Sequence, residues 1–330
     1  MRNYLLGSAA LAALLTLAPA TKAEELKLGH IRPQASSVHQ ELTEFAEAVA
    51  QTTGGETTIQ LYPASALGDY TVVQERVSIG AIEMALQPPA TGLDRRMQLS
   101  VTPYLVEDGE AAKKAFGPGG PISTEMTKLY AEQDITVLGA YPVYFGGIAL
   151  NRDAIEPGNP DAKKGIKLRV PPIRSYQLLG EAIGYISTPI PFSEAFTAIQ
   201  TGVVDGVLGA GAEGYYASFR DVTQSYIPAN THFEVWYLLI NTGVLEGLED
   251  TARANLETAA AEFVAKRWEV APTEQKTFEQ RLAQAGATIN ELTSEELSAL
   301  ATSVREKVWP EVVNDIGADF AQPILDQLAK

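Results

Sequence analysis

The chain has 330 residues, 45% of them apolar, a formal charge of −16 and no cysteine. That length and apolar content suffice for two globular domains with a sizeable core. The missing cysteines exclude disulfides, thiol nucleophiles, cysteine-bearing metal clusters and a lipidated N-terminal cysteine, and so acidic a chain is a poor match for nucleic acid or an anionic bilayer.

Residues 1–23 read as a secretory signal. Arg2 supplies a positive start, Leu5 to Leu17 an apolar run too short for a membrane span, and Ala18-Pro19-Ala20 or Ala23 a cleavage site. Cleavage would remove Arg2 and Lys22, moving the charge from −16 to −18 over about 307 remaining residues. An exported, cysteine-free chain that inserts in no membrane suits a bacterial periplasm. In so acidic a protein, a cation facing a cleft marks a place for an anion.

From Leu26 the pattern runs strand, helix, strand. Leu26 and Leu28 alternate around Lys27; Ser36 or Ser37 caps a helix with the stripe Leu42, Phe45, Ala46 and Val49; Thr57 to Leu61 is a strand. A loop over 61–69 precedes a helix through Val72, Val73, Val77 and Ile79, then a strand from Glu83 to Gln87. Helices near 109–116 and 121–133 and a strand Ile135 to Ala140 finish a first α/β domain, and Phe145 to Asn151 is a strand crossing out of it.

Lys163 to Gly214 is the most informative stretch. Ile166, Leu168 and Val170 share one face of a strand, Lys167 and Arg169 the other, and Pro171-Pro172 ends it. A helix through Tyr176, Leu179 and Ile183 closes at Gly184, Tyr185 to Ile190 is a second strand, and a helix from near Ser193 stops at Gly202. A third strand, Val203 to Leu208, completes a parallel β-α-β-α-β unit, whose ligands belong at the carboxyl ends of the strands. Arg169 lies at such an end. Further on, Phe233 to Asn241 is a strand apolar enough to return to the first domain, Glu249 to about Gln284 is helical with a kink or division at Pro272, and a closing helix covers roughly 293–308. The fold class is α/β: two lobes around a hinged cleft, with a long C-terminal helical segment. Residues 24–145 plus about 233–270 form lobe I, and 146–232 plus about 271–330 form lobe II.

Arg169 is the leading candidate for a ligand contact. Its guanidinium fork matches the two oxygens of a carboxylate and stays charged at any relevant pH. The competing expectation is a pair with one of the chain's many acids. Arg32 follows the first strand as a second cation or a surface arginine, Gln87 ends a strand, and Trp236 is a cleft wall or plain core. Arg174 lies past two prolines and is expected in solvent. Gly209-Ala210-Gly211-Ala212-Glu213-Gly214 fits G-x-G-x-x-G, but it falls late in an exported chain and reads as small residues letting backbone approach a ligand, with no cofactor. His30, His39 and His232 have no zinc-protease spacing, and no G-x-S-x-G elbow occurs, so a secreted hydrolase is a weak alternative.

The loop LYPASALGD, the strand KGIKLRVPP and the run STPIPFSEAFTAIQTGVVDG, in that order, resemble the solute-binding receptors of tripartite ATP-independent periplasmic (TRAP) transporters, the DctP-like family. The resemblance covers nearly the whole mature chain. It implies a non-catalytic receptor that closes around a small organic acid and delivers it to a small and a large membrane permease subunit. A receptor of an ATP-driven importer, or a sensor, would share the architecture. In the family the arginine of the LRV strand usually holds the ligand carboxylate, which matches Arg169, and the position of Phe192 often packs on ligand. Two departures stand out. Many members carry a ligand-contacting asparagine where this chain has Gly209, and some carry a second arginine at a position near Gly146. Replacement contacts are expected among Arg32, Gln87, Tyr144, Glu213 and Trp236. Glu213 would suit a ligand bearing a hydroxyl or amine.

Overall fold

The computed structural model describes residues 24–328, so the signal segment expected at 1–23 lies outside the described residues. β1 (Glu24–His30) alternates as its sequence predicts, with Leu26 and Leu28 fully buried. It pairs in parallel with β2 (Thr57–Tyr62) and β3 (Met84–Gln87). α1 (Ser37–Thr52) begins where the Ser36 hydroxyl accepts from the His39 amide, and turns Leu42, Phe45 and Val49 to the sheet. α2 (Tyr70–Ser78) is capped by Asp69. A 3-10 turn (Arg95–Val101), α3 (Gly109–Phe116) and α4 (Pro121–Ala131) pack with Ala85, Tyr237 and Leu239 in a second apolar layer.

β4 (Ile135–Leu150) is one continuous strand, where the sequence suggested two with a gap between. Pro142 lies in that gap; it pairs with Val235, and the ladder turns irregular between Pro142 and Tyr144, the kind of place where a strand tolerates proline. The β-α-β-α-β unit follows: β5 (Lys167–Val170), α5 (Arg174–Ala182), β6 (Ile186–Pro189), α6 (Phe192–Gln200) and β7 (Gly206–Gly211), with β5 parallel to both neighbours. β7 lies three residues later than the apolar run Val203–Leu208 predicts. Val203 is half exposed in the turn after Gly202, and the ladder begins only after the Asp205 amide donates to the Lys167 carbonyl. α7 (Ala212–Phe219) and β8 (Ser225–Ile227) lead to β9 (Phe233–Asn241), which is buried along its whole length.

The strands run in the order β2-β1-β3-β9-β4-β7-β5-β6. β4 holds this path together. From Ile135 to Phe145 it pairs with β9, and from Gly146 to Leu150 with β7, so one strand passes from the first half of the molecule into the second. α8 (Thr242–Gly247) follows β9 and leads to α9 (Asp250–Gln284), which is unbroken at Pro272. The expected division does not occur: the proline forfeits one hydrogen bond, while Trp268, Ala271 and Phe278 keep both flanking turns buried. β10 (Thr288–Ile289) pairs with β8; α10 (Ser294–Ile316), opened by a Thr293–Glu296 capping box, outruns the predicted end, and α11 (Ala318–Leu328) follows it.

Candidate functional site

β5 delivers Arg169 to the carboxyl edge of its sheet, two residues before Pro171, where Pro171 and Pro172 cut the ladder short of a further rung. The side chain is 1% exposed. Nε donates to the Ile190 carbonyl at 2.7 Å, which fixes the plane of the guanidinium, while Nη2 is buried with no partner among the described residues. No carboxylate forms an ion pair with it: Asp69 acts only through space, alongside the hydroxyls of Tyr70, Tyr215 and Tyr176. Burial is the dominant influence and pulls the pKa below the ordinary arginine value, yet a guanidinium keeps its charge. The competing expectation, a pair with an acid, is not what this side chain does.

The guanidinium lines a narrow cavity between the two halves. Arg32 and Tyr70 line it from the first half, Tyr176, Phe192 and Gly209 from the second, and β9 adds Glu234 and Val235. Phe192 opens α6 and lies between the two cations, its ring centroid 5.6 Å from the Arg32 guanidinium carbon and 5.7 Å from that of Arg169. Gly209 lines the wall but leaves less room than its missing side chain suggests. Its φ is +111°, and a Cβ there would fall 2.6 Å from Pro171 Cγ.

Arg32 is fully buried, not on the surface. Its Nε donates to Glu213 Oε2 at 2.8 Å and its Nη2 reaches Glu234 Oε1 at 3.4 Å. Its guanidinium carbon sits 4.6 Å from the centroid of the Trp236 ring. Glu234 in turn accepts from Trp236 Nε1 at 3.0 Å and from the Gly211 amide at 2.9 Å. Burial raises the Glu234 pKa above the usual carboxylate value; Arg32 opposes the rise and Glu213 adds to it. Glu213 and Trp236 therefore stand behind Arg32, orienting it.

Other candidates fall elsewhere. Gln87 donates to the Tyr70 carbonyl at 2.8 Å, so it braces Tyr70 from below the cavity. Tyr144 packs edge-on against Phe145 and Phe233 and its hydroxyl crowds Gly109, away from the cavity lining. Arg174 is half exposed and meets Glu311 at 3.3 Å, as expected of a surface residue. His30 pairs with His39 at 3.0 Å. The space beside Gly146 is taken by His232, since a Cβ on that glycine would lie 2.1 Å from the imidazole Cε1. His232 also packs edge-on against Tyr176, and burial pushes its pKa down to about 3, so it is neutral. Among the described residues no group of acids and histidines could hold a metal, and no helix is long and apolar enough to cross a membrane.

Three polar lining residues escaped the sequence: Tyr70, Tyr176 and Glu234. The tyrosines sit in helical stripes indistinguishable from core. Glu234 did carry a signal, as the lone charge in the otherwise apolar run FEVWYLLIN.

Comparison with known proteins places this arrangement. The profile of the DctP family, bacterial extracellular solute-binding protein family 7, matches residues 28–314. The C4-dicarboxylate-binding periplasmic protein DctP of Rhodobacter capsulatus is 26% identical over 97% of this chain and 93% of its own length. Two crystal structures share the fold: the sugar acid binding protein DctPAm of Advenella mimigardefordensis in complex with galactonate, with a TM-score of 0.84, 21% identity, and coverage of 93% of this chain and 98% of that one; and a TRAP periplasmic solute-binding protein of Haemophilus influenzae with bound L-gulonate, with a TM-score of 0.83, 23% identity, and coverage of 93% and 99%. With the match running from the first strand into α10, the chain belongs to bacterial extracellular solute-binding protein family 7, the two-lobed DctP family.

Proposed function

We propose that this protein is a periplasmic receptor that captures a small organic carboxylate between its lobes and hands it to the small and large membrane subunits of a TRAP-type transporter, without catalysing a reaction. One observation carries the reading: Arg169 is a buried cation with an unpartnered Nη2, facing a cavity built from both halves of the chain. A charge so placed gains most from an anion that arrives with its own acceptor pair. The dicarboxylate, galactonate and gulonate named for the similar proteins are all organic acids, which supports the assignment.

Residues 24–145 with about 233–270 make one lobe, and 146–232 with about 271–330 the other. The change of partner along β4 at Phe145–Gly146 supports the first boundary. Arg169 is the anchor, Phe192 and Gly209 form the wall beside it, Arg32 is the facing donor held by Glu213 and Trp236, and Gln87 steadies Tyr70. Tyr144 has no place in the site. A ligand on Arg169 gains partners across the cleft only when the lobes meet, so binding biases the closed state.

The test is a thermal-shift screen against small organic acids, followed by calorimetry on the acids that raise the melting temperature. Arg169→Ala should abolish measurable binding and leave apo melting nearly unchanged, because no ion pair is lost. Arg169→Lys should also bind poorly, having a point charge in place of a fork. Unaltered affinity in Arg169→Ala would remove the arginine as anchor.

A further inference from the structure

The cavity contains two arginines, but their charges are not equally available. Arg32 is shared between two carboxylates, Glu213 Oε2 at 2.8 Å and Glu234 Oε1 at 3.4 Å, so that group carries one surplus negative charge. Arg169 has no counter-ion and one unpartnered nitrogen. The site is therefore polarised, with a free cation on one side and a surplus anion on the other.

Glu234 is the part of that anion that reaches the cavity. Burial raises the pKa of its carboxylate, and the Gly211 amide and the Trp236 indole work against that rise, as donors that favour the ionised form and fix where its remaining lone pairs point. It is 5% exposed and sits on β9, which pairs with β3 and with the Ile135–Phe145 part of β4. An ionised carboxylate offers only acceptors. A complementary donor beside it is Arg32 Nη1, also buried and without a partner among the described residues, which can serve a neutral ligand oxygen without adding net positive charge.

We propose that Glu234 is the specificity-determining residue of this site: it selects monocarboxylates that carry a hydroxyl or ammonium donor at the end away from Arg169, and it rejects dicarboxylates. The inference rests on the reading that Arg169 takes the ligand carboxylate. A second carboxylate at the far end would face the surplus negative charge, with Arg32 already neutralised. A hydroxyl or ammonium there donates to Glu234 instead. The wall discriminates by repulsion as much as by attraction, which is how close analogues of equal size are told apart. It sets this chain apart from the Rhodobacter capsulatus relative, whose name specifies a C4-dicarboxylate.

The experiment is calorimetry of the full mature chain with two sets of matched probes. Galactonate and galactarate differ only in a terminal hydroxymethyl against a carboxylate. 6-Hydroxyhexanoate, 6-aminohexanoate and adipate vary the far group on one unbranched chain, and the first two separate a hydroxyl from an ammonium. The wild type is expected to bind the donor-bearing member of each set at least about 10-fold more tightly than the dicarboxylate. Glu234→Gln keeps the size and one acceptor while removing the charge; it should tighten galactarate or adipate by about 10-fold and weaken 6-aminohexanoate by a similar factor. Glu213→Gln, which alters the same surplus charge from behind the wall, should shift the preference in the same direction and covers the case in which Glu234→Gln does not fold. A dicarboxylate bound by the wild type as tightly as its partner overturns this inference while leaving the receptor reading intact. If no organic acid binds the wild type at all, the receptor reading falls and this one with it.

Discussion

His232 is buried at the junction of β9 and the cavity wall, with Thr231 Oγ1 at 3.0 Å from Nδ1 and no partner for Nε2. Its pKa, pushed down to about 3 by burial, lies below the 6.5 of an unfolded chain. The stabilising effect of keeping it neutral is therefore complete above pH 6.5 and is lost as pH falls toward 3, because only the unfolded chain takes up the proton. Between pH 7 and pH 5 this one residue should cost about 2 kcal/mol of stability. His30, lowered to about 3 by burial and then by His39 and Arg32, adds to the trend with the same sign. Urea unfolding at the two pH values should show His232→Asn losing about 2 kcal/mol less than the wild type over that interval; an identical loss would mean that His232 titrates normally in the folded protein. At this scale the sequence is legible only where charge and position in an element combine. Arg169, a cation at a strand end on the face opposite Leu168 and Val170, was readable. Gly209 and Gly146 stand out as departures from the residues of similar receptors, but Pro171 and His232 occupy the space beside them, and neither neighbour is near in sequence. Arg32 was readable as a cation but not as a buried one, since its two partners come from 181 and 202 residues away.

Among the elements, the first turns of α2 and α6 meet across the cleft through one aspartate. Asp69 Oδ1 accepts from the Thr71 amide at 3.2 Å and so caps α2, while Oδ2 accepts from the Ser193 amide and hydroxyl, both at 3.3 Å, at the start of α6. Both helix ends carry unsatisfied N–H groups and the positive pole of a dipole, so one carboxylate serves both. This contact forms only when the two halves are together. Ser193→Ala removes the hydroxyl without disturbing the cap of α2, and should weaken ligand binding by about 3–10-fold with apo melting unchanged. Calorimetry on that variant giving the wild-type Kd would show that the contact adds nothing to closure. The segments supplying both partners, LYPASALGD and PIPFSEAF, could be read from the sequence as a loop and a helix start. Their meeting could not, because helix caps are local signals and the approach of two caps is set by how β4 and β9 carry the halves. The same limit explains β7. An apolar run marks a stretch as a strand candidate, but pairing with β4 and β5 decides where the strand begins, and Val203 is left half exposed outside it.

For the whole molecule, α9 is the element that braces the crossing between halves, and Arg267 is its fastener. The side chain is 1% exposed. Nε donates to the Pro142 carbonyl at 2.7 Å, inside the irregular part of β4, and Nη1 reaches Glu41 Oε1 on α1 at 3.0 Å and also contacts Glu274. The Tyr141 ring lies 4.9 Å from the guanidinium carbon, and its hydroxyl donates to Glu41. One arginine thus ties α9 to the crossing strand and to α1. A continuous helix was hard to expect from a sequence with Pro272 in it, but these contacts flank the proline and hold the turns on either side. Arg267→Ala would leave two carboxylates, Glu41 and Glu274, without their cation in a poorly solvated place, and breaking a buried pair from one side typically costs about 3–5 kcal/mol. That loss should appear as a lower urea midpoint at pH 7 and shrink as the pH is lowered toward the carboxylate range, since burial already raises the Glu41 pKa and protonation relieves the unpaired charge. The cavity lies elsewhere, lined by Arg169 and Arg32, so the folded fraction should bind ligand with close to wild-type affinity at moderate temperature. A variant that kept its stability but lost affinity would instead place Arg267 in the closing motion, as a hinge constraint and not a structural tie.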